Sequence, residues 1–236
     1  MALVVASACV IGVAILQRAR VRTFVLPRVS DQAWRLPGLR TAMSRSWERK
    51  YRQLQDRKLP RGAVVMLGDS ITEFADWVSL IPDVEVHNHG IGGDDTIGVL
   101  RRLHLVTQAA PSAVFLMIGT NDLGKRDLSV EEIVTNVAAI LDRIRSESPT
   151  TDVYVQSVLP RWHTRCAEVA QLNAGIEGLV RERNVTWIDL RPLFDRGDGS
   201  MDLALAPDAL HPNVDGYRRW ATAIEPYFKQ PMAESE

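Results

Sequence analysis

The sequence predicts a three-layer α/β/α domain built on a parallel sheet. Two observations carry this. From residue 63 onward, short β-branched runs alternate with helix-length amphipathic stretches, the pattern of a parallel sheet covered by helices on both faces. Three of those runs end directly in short polar blocks that contain glycine. In such sheets ligands bind outside the carboxyl ends of the strands. A chain of 236 residues accommodates one such domain and an extension.

The elements follow in order. Residues 2–16 are almost wholly apolar, and Arg18, Arg20 and Arg22 come next. A spanning helix takes roughly 17–25 apolar residues, so the run is short but usable if the arginines snorkel. No Lys or Arg precedes it, which fits an uncleaved anchor better than a secretory signal. Residues 1–22 are therefore expected to be a membrane anchor. The arginines behind it are expected to put the following domain on the cytoplasmic side, against the alternative of a secreted or soluble protein. Residues 23–59 read as a connecting segment with one helix at 43–58. That helix carries Trp47, Tyr51 and Leu54 on one face.

The domain itself occupies residues 60–230. Strands are predicted at 63–67, 84–88, 113–118, 152–158 and 185–189. Helices are predicted at 96–109, 129–147 and 165–183, with a last one from 214 or 215 to 227. Ser129 followed by Glu132 is a capping-box signature for the second of these.

The polar blocks supply chemistry. Gly68-Asp69-Ser70 follows the first strand, Asn88-His89-Gly90-Ile91-Gly92-Gly93-Asp94 the second, and Gly119-Thr120-Asn121-Asp122 the third. Asp208-Ala209-Leu210-His211-Pro212 precedes the last helix. A serine, a Gly-rich turn, an amide and an Asp/His pair are the components of acyl transfer through a serine ester. Ser70 is the candidate nucleophile; alone, it would read as a helix cap. His211 is the candidate general base, and Asp208 the group that fixes its tautomer. Pro212 holds His211 in extended backbone suited to a loop. His87, His89, His104 and His163 lack this setting.

These blocks resemble the SGNH (GDSL-type) hydrolase superfamily. The runs Gly68-Asp69-Ser70-Ile71-Thr72-Glu73 and Gly90-Ile91-Gly92-Gly93-Asp94 are most similar to its platelet-activating-factor-acetylhydrolase-like branch. The resemblance covers about residues 60 to 228. It implies a flavodoxin-like five-stranded sheet, and its serine, glycine, asparagine and histidine fall on Ser70, Gly93, Asn121 and His211. The oxyanion hole would then comprise the backbone N–H groups of Ser70 and Gly93 and the side-chain amide of Asn121. Asp95 is a departure, where relatives often carry Thr or Gly, and is expected to alter the pocket rim. Asp69 is read as bracing the turn, and Asp94 and Asp122 as structural.

Phe74, Trp162 and His163 are candidates to line the substrate pocket; Phe74 and Trp77 belong either to its wall or to the core. The expected activity is a serine esterase, or lipase-like hydrolase, acting on carboxylic esters with short or medium acyl groups. Its substrate is a small-molecule, lipid or sugar ester. An O-acetyltransferase or carbohydrate deacetylase using the same triad is one alternative. A catalytically silent, membrane-tethered binding domain is another. No cofactor and no metal are expected. No Gly-x-Gly-x-x-Gly opens a helix after the first strand, and no Cys/His cluster has metal-ligand spacing. A net charge of −1, with no dominant basic face, excludes a nucleic-acid partner. Two cysteines, Cys9 and Cys166, give no disulfide framework. Composition leaves the oligomeric state open.

Overall fold

A computed structural model describes residues 37–126, 128–161 and 165–228. The chain begins there with helix α1 (Pro37–Asp56) and enters the sheet at β1 (Val64–Gly68). There follow α2 (Ser70–Glu73), α3 (Trp77–Leu80), β2 (Val86–Gly90), α4 (Thr96–Arg102), α5 (His104–Thr107) and β3 (Ala113–Met117). The second half holds α6 (Val130–Glu147), β4 (Asp152–Gln156), α7 (Cys166–Glu182), β5 (Thr186–Ile188), α8 (Arg191–Phe194) and α9 (Val214–Phe228). All strand pairings are parallel, in the order β2-β1-β3-β4-β5. This is the flavodoxin-like order, whose switch point lies between β1 and β3.

Strand alternation sends side chains to two separate cores. Val65, Leu67, Val114, Leu116 and Val155 face one way, onto Val99, Ile133, Val137, Ile140, Leu172 and Ile176 of α4, α6 and α7. Met66, Phe115, Met117 and Tyr154 face the other way, onto Ile71, Trp77, Tyr217, Trp220 and Ile224 of α2, α3 and α9. Gly68 pairs with Gly90 and with Met117. The carboxyl ends of β1, β2 and β3 are therefore level, side by side at the switch point.

Most predicted elements are present, with informative shifts. The capping box at Ser129 and Glu132 forms in both directions. β2 runs 86–90 instead of 84–88, because the Val84 N–H is spent in a turn on the Ile81 carbonyl. Its polar residues are accommodated because Asn88 Nδ2 donates to the carbonyls of Thr72, Glu73 and Ala75. β4 ends at Gln156, where the Val158 N–H turns to the Asn173 side chain. The helix expected over 96–109 is stepped at Leu103 into α4 and α5, with Arg102 and Leu103 both fully buried. On α1, Leu54 is buried and Trp47 stacks on Tyr51 with ring centroids 5.3 Å apart. Among the described residues, no helix is long and apolar enough to cross a membrane. The anchor expected at 1–22 lies outside those residues.

Candidate active site

Ser70 is the first residue of α2, directly beyond β1. Asp69 caps that helix through Oδ1, which accepts the Ile71 N–H at 2.9 Å. The glycine at 68 serves close packing: a Cβ there would collide with Thr72 Oγ1 and the Met117 carbonyl. The strand-to-helix turn thus abuts β3 directly. From the C-terminal helix, the Tyr217 hydroxyl donates to the Ile71 carbonyl at 2.8 Å, clamping the serine-bearing turn to α9.

His211 returns to this edge from the loop before α9. Its Nε2 lies 2.9 Å from Ser70 Oγ, and its Nδ1 lies 2.6 Å from Asp208 Oδ2. The other Asp208 oxygen accepts the backbone N–H groups of Leu210 at 3.0 Å and His211 at 2.7 Å. Between them Ala209 has φ 64°, a left-handed conformation that costs a non-glycine residue free energy. Burial acts to raise the Asp208 carboxyl. The hydrogen bond and charge of His211, with the two backbone N–H groups, outweigh it and hold the group below its usual value. Asp208 is thus an anion fixed behind the imidazole, an arrangement in which Nε2 can accept the serine proton.

The other two blocks arrive from β2 and β3. Gly93 has φ 74°, a conformation that favours glycine. The turn around it is held on both sides. The Gly92 N–H donates to Glu73 Oε2 at 2.6 Å, and the Asp94 N–H to the Ile91 carbonyl at 3.0 Å. Asn121 Nδ2 donates to the Asp94 carbonyl at 2.8 Å and lies 3.4 Å from Asp69 Oδ2. The amide is therefore bound to the Gly93 turn on one side and to the Ser70 turn on the other. Asp122 is buried under Thr96, whose N–H and hydroxyl both donate to it. Burial is the largest influence on this carboxyl, and the net effect raises it to about 6.

The structure separates the two open rim candidates, Phe74 and Trp77, and departs from expectation at Asp95. Phe74 stays 48% exposed, with its ring centroid 5.1 Å from that of His211, so it lies beside the imidazole. Trp77 belongs to the core: it is 2% exposed, meets Trp220 edge-on and donates to the Thr72 carbonyl. Asp95 is not a rim residue either; it is the N-cap of α4 and accepts the Gly98 N–H. Trp162 and His163 lie outside the described residues. Among the described residues, no group of three or more His, Cys, Asp or Glu side chains is arranged to hold a metal ion.

With this geometry, comparison with known proteins is decisive. Residues 66–219 match the model of the GDSL-like Lipase/Acylhydrolase family. The chain belongs to that family. As a GDSL-like acylhydrolase it is a hydrolase acting on ester bonds. It is similar to platelet-activating factor acetylhydrolase IB subunit alpha2 of Rattus norvegicus, 26% identical over 183 residues, covering 73% of this chain and 78% of that one. It is likewise similar to the alpha1 subunit of Homo sapiens, 26% identical over 197 residues, covering 79% and 84%. Among solved structures, a GDSL-like lipase from Bacteroides thetaiotaomicron superposes with a TM-score of 0.64 at 22% identity, over 78% of this chain and 97% of that one. A carbohydrate esterase family 3 protein from Talaromyces cellulolyticus gives 0.62 at 22%, over 74% and 100%. At that identity these two speak to the fold.

One buried charge in this GDSL-like chain is absent from the residues expected of the site. Arg102 is fully buried, its Nε 2.7 Å from Asp94 Oδ2 and one terminal nitrogen 2.9 Å from the Gly68 carbonyl. Removing one partner of such a pair costs about 3–5 kcal/mol. Its sequence signature is an arginine on the apolar stripe Val99, Arg102, Leu103 and Val106 of a predicted helix. Trp47, Lys50 and Glu73 are likewise unexpected as parts of the site's support. Glu73 ends the Gly68-Asp69-Ser70-Ile71-Thr72-Glu73 run and Trp47 stands on the helix stripe, but their contacts join elements far apart in sequence, so neither pattern announces the supporting role.

Proposed function

We propose that this chain is a serine esterase that hydrolyses carboxylic esters of short to medium acyl length through Ser70, His211 and Asp208. The observation that carries the reading is the linear relay from Ser70 Oγ to His211 Nε2 and from His211 Nδ1 to Asp208, at 2.9 and 2.6 Å. Ser70 Oγ attacks the ester carbonyl carbon as its proton passes to His211 Nε2. The negative charge develops on the carbonyl oxygen, which the N–H groups of Ser70 and Gly93 receive together with the second Asn121 N–H, released from its 3.4 Å contact with Asp69 Oδ2. The C–O bond to the alcohol breaks, and His211 returns the proton to the departing oxygen. Water then attacks the acyl-enzyme by the same route, releasing the acid and regenerating Ser70. The acyl range draws support from the acetylhydrolase names of the 26%-identical relatives.

The test is a panel of p-nitrophenyl esters of graded acyl length, with and without an added sugar or alcohol acceptor. Turnover that falls with acyl length supports the reading. Acyl transfer to the acceptor in place of water converts it to a transferase, and inertness towards every ester removes it. Turnover is expected to be unchanged in excess chelator, because the proposed steps need no metal.

The uncharged run at 2–16 and the arginines behind it support a further proposal, that residues 1–22 hold the enzyme at a membrane with its domain on the cytoplasmic side. Full-length chain is expected in the membrane fraction, and chain starting at Thr23 in the soluble one. Full-length chain in the soluble fraction removes the anchor.

A further inference from the structure

Helix α1 lies outside the span matched to the family, which begins at residue 66, yet it reaches the site at two points. Trp47 Nε1 donates to Asp94 Oδ1 at 2.8 Å. One turn on, Lys50 Nζ lies 3.1 Å from Glu73 Oε1. Spacing of three residues puts both side chains on one face of the helix. The same face is held down by Arg101 of α4, whose guanidinium carbon stands 5.1 Å from the Trp47 ring centroid and 5.9 Å from that of Tyr51.

One contact ends on the turn that presents Gly93, and the other ends on Glu73, one hydrogen bond away from it. The carboxylate of Glu73 that meets Lys50 accepts the Gly92 N–H through its other oxygen, at 2.6 Å. The carboxylate that meets Trp47 belongs to Asp94, the residue after Gly93, and the Asp94 carbonyl takes the Asn121 amide at 2.8 Å. α1 therefore holds Asp94 directly and Gly92 through Glu73, and through Asp94 it reaches Asn121 as well. The Lys50–Glu73 pair is partly buried, with side chains 28% and 22% exposed, so water screens it less than a surface pair.

We propose that Trp47 and Lys50 are positioning residues for the oxyanion hole: α1 is a strut that sets the direction of the Gly93 N–H and of the Asn121 amide. This rests on the esterase reading above. Neither side chain touches substrate. Their effect is on the geometry of two donors whose value depends on pointing at the place where charge develops.

The experiment uses the full chain and the variants Trp47→Phe, Lys50→Met and Lys50→Arg. Arg49→Ala, on the exposed side of the same helix, is the control. Trp47→Phe keeps a ring to stack on Tyr51 while removing the N–H and part of the ring area; Lys50→Met keeps the stem and removes the charge. Two readouts are taken: p-nitrophenyl acetate kinetics, and the amide resonances of Gly92 and Gly93 in glycine-labelled protein. Trp47→Phe and Lys50→Met are expected to lower kcat about 10- to 100-fold with KM nearly unchanged. Both are expected to shift the Gly92 and Gly93 resonances, with Lys50→Arg restoring most of both readouts. Combined with Asn121→Ala, Trp47→Phe is expected to cost less than the product of the single losses, because both act through one hole. An active wild-type chain whose variants keep kcat, lose KM instead, or leave both glycine resonances in place overturns the inference alone. A wild-type chain inert towards every ester removes the esterase reading and the inference with it.

Discussion

Asp208 holds His211 twice: one carboxylate oxygen takes the ring Nδ1 at 2.6 Å, and the other takes the same residue's backbone N–H at 2.7 Å. The first bond fixes the tautomer; the second fixes the loop on which the ring is mounted. Asp208→Asn keeps an oxygen for the loop but can present an N–H to Nδ1, favouring the tautomer that leaves Nε2 unable to accept a proton. The expected outcome is a fall in kcat on the order of 10⁴-fold with the fold retained, as expected when a triad histidine is held in the wrong tautomer. Steady-state kinetics beside a circular dichroism melt would check it.

Ser70→Ala is expected to remove ester hydrolysis, with a loss on the order of 10⁶ in turnover. The hydroxyl bonds to His211 Nε2 at the part-buried edge of the sheet, so stability should change by less than about 1 kcal/mol. A fluorophosphonate probe should label Ser70 in the wild-type chain and no serine in the variant. Near-normal turnover by pure variant protein would remove Ser70 from the chemistry.

Asn121→Ala should cost turnover, roughly 10²–10³-fold, with little change in KM, because the donor acts on a charge present only near the transition state. The same amide ties Asp94 to its neighbours at 2.8 Å. A drop in melting temperature should therefore accompany the kinetic loss. A raised KM at constant kcat would make Asn121 a residue that binds the ground state.

His89 gives the fold an acid limit. Burial, followed by the positive charge of Arg102, holds its imidazole down from the usual 6.5 to about 3. The unfolded chain therefore takes up the proton first as pH falls. The stability contribution is intact above about 6.5 and is lost progressively towards about 3. At no more than about 1.4 kcal/mol per pH unit, the loss from pH 7 to pH 5 is on the order of 2 kcal/mol. His89→Leu should flatten this limb in urea titrations repeated at several pH values, while the wild-type midpoint falls with acidity.

What is legible in the sequence is whatever is local. The first and third strands are readable because the apolar run and the glycine after it are contiguous, and the second because its valines lead into a glycine-rich block. Ser70, Gly93 and Asn121 therefore fall at one sheet edge from the residue pattern alone. His211 and Asp208 are readable through their spacing of three and the proline behind them. Side chains whose partners come from another element are not readable. Trp77 and Phe74 carry the same local signal, and only α9, through Trp220, decides that one is core and the other rim. Asp95 reads as a rim substitution because its capping of Gly98 depends on where the helix starts. The Asp94–Arg102 pair is hidden because a buried ion pair has no periodicity of its own.

The proposed nucleophile and base span 141 positions of chain, Ser70 to His211, and a chain is made from its N-terminus. All five strands, together with the turns bearing Ser70, Gly93 and Asn121, are synthesised before the histidine exists. On the proposed relay, ester cleavage is thus the last property the growing polypeptide acquires. It arrives only when the loop ahead of α9 is translated and α9 seats Trp220 against Gln156. On that reading, a polypeptide released before that point carries the serine without its base, and premature products are expected to be inert towards esters.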